Sequence, residues 1–363
     1  MVKLILLGLL AGALFSSTFI LNELMSSAGG HWFWSASLRY LFMWLMLTVI
    51  IAMQQGIGRI NELWALFRAH WVFWCVTGSI GFGLFYTGIC YAGDHVAGWV
   101  VAATFMFTVV TSLLVLVAFG QRFDKKFILY ALLVFIGVIL VNVSEGLHAA
   151  SIADTASTPM AEMLLYGALP ALIAAFSYPI GNQLVWQVSY NSRKHSAALQ
   201  KSRSDHSTNS SDITADNKDH LLAPDANTNK SGLQHLIARI PAIETDLLQN
   251  AFNKVWLMSL GSLPFWLMLG IIVRPELPSP SQVFNTLLVA LLAGVGATSI
   301  FLFAREKAQT SSEVAGVDST QASEVIFALI GGILLLGNVL PSAMGLFGIG
   351  LIILGLILFA KDG

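Results

Sequence analysis

Apolar runs of about 20 residues recur along the chain, and polar residues gather between these runs instead of alternating within them. A run of that length spans a hydrocarbon core of about 30 Å as a helix, which satisfies its own backbone hydrogen bonds where water is absent. The pattern predicts ten spans, near Leu4–Leu24, Trp34–Met53, Trp71–Tyr91, Val96–Phe119, Phe127–Val143, Met163–Val188, Phe252–Val273, Phe284–Phe303, Val314–Leu336 and Ala343–Ala360. The first resembles a secretory leader, with Lys3 ahead of an apolar run through Ala11-Gly12-Ala13. It continues to Leu24, however, and a later segment echoes it, so it reads as a span. The expected fold class is an all-α membrane protein of ten transmembrane helices.

One stretch breaks the pattern. From Ser189 to Ile237 the chain is rich in Ser, Asn, Asp and Lys, and it carries too little apolar surface to offset chain entropy. Disorder is expected there, as a tether or as a regulatory or partner-binding tail. Beyond it, Leu236, Ile237, Ile240, Ile243, Leu247 and Leu248 recur at helix-like spacing around Pro241, as in a segment lying along the inner interface. The expected organisation is a first five-helix unit over 1–150 and a sixth helix over 151–188 that opens a second unit. A mostly disordered polar cytoplasmic loop follows over 189–248, and the remaining four helices occupy 249–363.

The two units echo each other. Phe15-Ser16 and Asn22-Glu23-Leu24 in span one recur as Phe176-Ser177 and Asn182-Gln183-Leu184 in span six. Gly81-x-Gly83 in span three recurs as Gly294-x-Gly296 in span eight, and Val96-Ala97-Gly98 opening span four as Val314-Ala315-Gly316 opening span nine. Because five is odd, the second unit enters the membrane from the opposite side. Two inverted five-helix repeats are an arrangement used for alternating access, with the substrate site near the midplane between them.

Composition narrows the class further. The chain is 56% hydrophobic and 11% charged, against about 25% charged in soluble domains. A soluble enzyme, a nucleic-acid binder and a disulfide scaffold are excluded, and Cys75 and Cys90 make no disulfide framework or metal set. Of the Lys and Arg residues, only Arg274 falls in an outer loop, and Arg39 and Lys254 lie within spans. The others line one side, which puts both termini in the cytoplasm of a cell (inner) membrane.

Ionisable side chains inside spans are functional candidates by default. Glu324 lies about 11 residues past Glu313, roughly 16 Å into its helix. Asp318, Gln321 and Glu324, three residues apart, make a polar stripe that could trade a proton for a solute. Glu23 and Arg39, at the outer ends of spans one and two, are expected to pair as a gate or a staple. Tyr86, Tyr91, Tyr178 and Trp186 could line a cavity for flat or cationic solutes, with Asn182 beside them. Pro170 and Pro179 could bend span six. Trp32, Trp34, Trp71 and Trp74 read as interface residues, Thr104, Thr108 and Thr111 as a helix contact, and His31, Asp94 and His95 as solvated. No nucleophile elbow, zinc-protease motif or P-loop occurs. The reading therefore assigns no enzyme activity, no cofactor and no metal, and leaves no route to ATP-driven transport by this chain alone.

The ending Ala322-Ser-Glu-Val-Ile-Phe-Ala-Leu-Ile-Gly-Gly-Ile-Leu-Leu-Leu-Gly-Asn338, on ten spans in two halves, resembles the drug/metabolite transporter superfamily. Trp32-Phe-Trp-Ser-Ala-Ser-Leu-Arg39-Tyr40 is similar to its multidrug resistance efflux branch. Where that superfamily commonly has an acid after the Leu-Gly of spans four and nine, this chain has Gln121 and Asn338. The resemblance implies secondary transport, often export, of small organic solutes, with proton coupling as an option. A nucleotide-sugar or amino-acid carrier is the alternative within the class, and a channel or a membrane scaffold or receptor the alternative outside it. The expected partners are a small organic solute and the lipid bilayer, with a homodimer allowed and no nucleic acid.

Overall fold

A computed structural model describes residues 2–120, 125–152, 160–207, 237, 240–308 and 311–362. Among the described residues, ten helices are long and apolar enough to cross a membrane. These spans, numbered in chain order, are Val2–Ser27, Trp32–Gln55, Trp71–Gly93, Gly98–Ala118, Lys126–Leu147, Met160–Ser192, Ala251–Val273, Pro280–Arg305, Gly316–Leu336 and Ala343–Asp362. They match the expected runs to within a few residues, because length and apolarity alone decide whether a helix can span.

Between spans two and three the chain adds a helix that hydropathy does not reveal, Ile57–Ala69. Its Leu63 is fully buried, and Arg59 pairs with Glu62 at 2.8 Å and with Asp246 at 3.7 Å. The helix of span six runs on to Ser207, well into the stretch expected to be disordered from Ser189. Local bonds account for its first added turns. Trp186 stacks on Tyr190, Gln187 donates to Asn191 at 2.9 Å, and Asn191 donates to the Ile240 carbonyl at 3.0 Å. The rest of the expected disorder, 208–236, lies outside the described residues. Ile243, Leu247 and Leu248 are buried in the bundle instead of lying on lipid, because Asn191 and Arg59 hold their segment against the protein.

The two halves share several irregularities at matching places, although the π turn Leu164–Ala168 of span six has no counterpart in span one. Spans three and eight each widen into a π turn, at Ser79–Leu84 and Ala290–Ala297. Span four breaks at Met106–Phe107 and span nine at the 3₁₀ turn Thr320–Ala322. Gly120 and Gly337 follow spans four and nine with φ of 82° and 71°, left-handed conformations that suit glycine at a helix end. Packing follows the same plan. Span one packs on spans eight and nine, as span six does on spans three and four, while spans two and seven, and five and ten, pair across the halves.

Span three sits against spans six and seven through glycine. A Cβ on Gly81 would stand 3.0 Å from the Gly181 Cα, and one on Gly181 would run into Gly81. Lipid tails are as apolar as the helices, so such close approach supplies contact that hydrophobicity cannot. Trp74, expected at the interface, is fully buried beside this crossing, where Gly261 lies on its carbonyl. Trp71 is 59% exposed, as an interface residue would be.

A Gly81→Leu substitution should therefore destabilise the protein by about 1–3 kcal/mol through overpacking, read as a lower Tm in detergent. Gly350→Ala meets nothing within 4 Å and should leave Tm unchanged or slightly raised. Equal effects from the two variants would rule out the crossing as a packing constraint.

Candidate functional site

The buried polar centre starts from the first turns of span two. Arg39 is 8% exposed, and its Nη1 donates to Thr18 Oγ1 at 2.9 Å and to the Tyr86 hydroxyl. Its Cζ lies 4.2 Å from the centre of the Tyr86 ring, a cation–π contact that favours the charge but does not neutralise it. Thr18 and Asn22 are one turn apart on span one and face the same way. Asn22 is buried beside the Tyr86 hydroxyl and the Cys90 thiol, yet neither its nitrogen nor its oxygen closes a hydrogen bond. Tyr40 stacks on Phe82 at 4.7 Å and lies parallel to Trp266 at 6.1 Å, forming an apolar wall alongside.

The expected Glu23–Arg39 pair does not form. Glu23 Oε2 accepts from the Gly98 N–H at 2.6 Å, at the start of span four, where the helix dipole favours an anion. Glu23 Oε1 accepts from the Asn338 amide at 2.7 Å. Glu23 is thus a staple joining spans one, four and nine. An aspartate at 338 would set one carboxylate against another, so the amide in this chain suits its partner.

Glu324 opens the last segment of span nine, just after the 3₁₀ turn. It is half-buried, and among the described residues it makes neither a hydrogen bond nor an ion pair. Tyr178 of span six lies within electrostatic reach of Glu324 and within hydrogen-bonding reach of Asn182. The Tyr178 ring also sits 5.1 Å from that of Phe85, next in sequence to Tyr86. Tyr40 in turn lies within electrostatic reach of both Arg39 and Tyr178. A base from the first half and an acid from the second are thus linked through neighbouring aromatic side chains, with Tyr178 and Asn182 on the exposed side of span six.

Other candidates fall elsewhere. Asp318 pairs with Arg305 at 3.1 Å, and Gln321 is exposed, so the expected stripe contributes only Glu324 to the centre. Tyr91 lies near the end of span three, against Trp32 and His95, and Trp186 is occupied with Tyr190. Thr104 accepts from Asn142 at 2.8 Å and Thr111 donates to the Ala175 carbonyl, which makes both helix contacts as expected. A cleft between the ends of spans one, three, five and six is lined by Glu23, Ser26, Asp94, His95 and Glu145. Burial there pushes the Asp94 carboxyl above its usual range, against hydrogen bonds from Ser26 and the Trp32 N–H and the nearby His95 and His31. Asp94 is accordingly not a freely solvated group. Sequence reading missed Thr18, Tyr40 and Cys90 as site residues and used Asn22 only for the repeat. The i, i+4 spacing of Thr18 and Asn22 on an otherwise apolar helix was the available signal.

Comparison with known proteins agrees with this architecture. Residues 2–362 match the family described as "EmrE: Putative multidrug resistance efflux transporter". The uncharacterized protein YjlA of Bacillus subtilis (strain 168) is 30% identical over 98% of this chain and 94% of its own. An uncharacterized 42.1 kDa protein of Shouchella clausii, from the intracellular alkaline protease 3'region, is 28% identical over 84% of this chain and 65% of its own. A crystal structure described only as that of a protein shares the fold, with a TM-score of 0.52 and 12% identity over 100% of this chain and 99% of that one. The match from end to end, on ten membrane-spanning helices, makes this chain a member of the EmrE-type multidrug resistance efflux transporter family.

Proposed function

We propose that this chain is a secondary active transporter that exports small organic solutes by alternating access, with protons as the coupling ion. Its two five-helix halves are inverted repeats, and both termini lie in the cytoplasm of a cell membrane. The observation that carries the reading is the polar centre itself. Spans one to three bring Arg39, Asn22 and Tyr86, and spans six and nine bring Tyr178, Asn182 and Glu324. A site shared between the halves opens to one side or the other as they rock. The paired breaks in spans three and eight and in spans four and nine give each half a place to bend.

Glu324 supports the coupling role. A charged carboxylate inside a span is expensive, and this one has no cation or hydrogen-bond donor among the described residues to hold it. Asp318 and Glu23, the other acids considered, already have partners in Arg305 and in Gly98 and Asn338.

Two outcomes are expected. A reporter fused after Ala150 should map outside and one fused within Ser204–Lys230 inside; either result reversed would refute the topology. In proteoliposomes, Glu324→Gln should abolish proton-driven flux while membrane insertion, Tm and saturable counterflow of labelled solute persist. Normal flux with unchanged pH dependence would remove Glu324 from the coupling mechanism, and non-saturable flux in the parent protein would favour a channel.

A further inference from the structure

Arg39 is a buried cation with a free edge. It lies roughly two turns, about 10 Å, in from Trp32 at the start of span two, and its contacts among the described residues, Thr18 and Tyr86, are neutral. Nη1 is used twice, by Thr18 and by Tyr86. Nε is buried with no hydrogen-bond partner, and Nη2 has none among the described residues. The nearest acid by sequence expectation, Glu23, has turned both oxygens to other groups. A guanidinium cannot shed its proton in a protein. Removing one partner from a buried ion pair leaves an uncompensated charge, and Arg39 stands in that condition.

Asn22 makes a second, independent observation. It is 4% exposed, and both ends of its amide are unsatisfied, although buried polar groups are nearly always bonded. Its amide nitrogen is a donor without an acceptor in the same polar cluster as a guanidinium without a counter-ion. Both deficits are met by one kind of group, an oxyanion with two acceptor oxygens. The Nε–Nη2 edge of an arginine matches a carboxylate in two parallel hydrogen bonds. The stacked, buried rings of Tyr40, Phe82 and Trp266 form the apolar wall alongside.

We propose that the Nε–Nη2 edge of Arg39, together with the Asn22 amide, binds the carboxylate of the transported solute, so that small organic carboxylates are substrates of this protein. This rests on the transporter reading above and adds the substrate class to it. Binding neutralises Arg39 and gives the Asn22 amide nitrogen an acceptor, which makes the occupied centre electrically balanced. Thr18 and Tyr86 are positioning residues, since they hold Nη1 and aim the free edge. The carboxylate keeps its charge throughout, and no bond is made or broken.

The test uses the full-length protein purified in detergent, with benzoate as the probe and benzamide, of similar shape but uncharged, as the control, at constant ionic strength. Benzoate should raise Tm in a saturable way, as ligands that bind only the folded state do, and benzamide should not. Arg39→Gln should weaken the benzoate response about tenfold or more. Arg39→Lys should retain part of it, because a point charge remains without the fork. Asn22→Ala, which leaves the guanidinium in place, should weaken it to a lesser degree and serves where Arg39→Gln does not fold. Equal responses to benzoate and benzamide, no response to benzoate, or a benzoate response that survives Arg39→Gln would each overturn the assignment. Saturable counterflow of a labelled lipophilic cation, without any benzoate response, would overturn the carboxylate site and leave the carrier reading intact. Benzoate binding without counterflow of any solute, labelled benzoate included, would do the reverse.

Discussion

Lipid offers no hydrogen bonds, and the organisation of this bundle follows from that constraint. Backbone groups are satisfied along each helix, and most buried side chains find a partner on the next. Asn142 reaches Thr104, Thr111 reaches the Ala175 carbonyl, Ser144 meets Ser342, and Trp256 donates to Thr48. Glu23 uses both of its oxygens in the same way, one on a helix N-terminus and one on an amide. Several buried groups lack a partner, among them Ser37, Thr77, Gln183 and the Trp74 indole. Arg39 and Glu324 differ from these in being ionisable, and Asn22 in having both ends of its amide open. In a solvent that penalises such groups, their persistence is a functional signal.

The same constraint explains how the helices meet. With no hydrophobic drive between spans, association depends on how closely backbones approach. Span three is the clearest case, with Gly81 against Gly181 of span six and Gly78 against Gly261 of span seven. These contacts tie the first half to the second through one helix. The π turn at Ser79–Leu84 lies at this crossing, so the wide turn falls where neighbouring helices enclose the backbone. Its counterpart at Ala290–Ala297 lies against span one. These two turns therefore each have one side packed on protein, whereas the π turn Leu164–Ala168 of span six leaves Leu164, Leu165 and Tyr166 exposed.

Electrostatics gives the centre its direction. The proposed carboxylate site and the proposed proton site come from opposite halves, with Tyr40, Tyr86 and Tyr178 between them. Phenol rings can present a face to a cation and a hydroxyl to an anion, so they suit a region that must serve both. The staple at Glu23 keeps its acid out of this region, and Asn338 is the residue that makes this possible. The amide at 338, where the wider superfamily commonly has an acid, thereby follows from what lies opposite it.

What the sequence determined by itself was everything that depends on length, apolarity and charge bias. Ten spans, the class of protein, the position of the polar loop and the echoes between halves are properties of segments, and a segment carries them wherever it packs. Glu324 was legible for the same reason, as an acid deep in an apolar run. Only the tertiary structure decided which side chains meet. Glu23 and Arg39 read as a pair because both lie near the same membrane face, yet Glu23 bonds to groups 75 and 315 residues away. Asp318 read as a neighbour of Glu324, but Arg305 on span eight claims it. The Ile57–Ala69 helix, the continuation of span six and the burial of Trp74 likewise depend on contacts made across the bundle. Hydropathy places a residue along the membrane normal to within a turn, whereas hydrogen-bond partnership requires about 3 Å in all three dimensions, which only packed helices define.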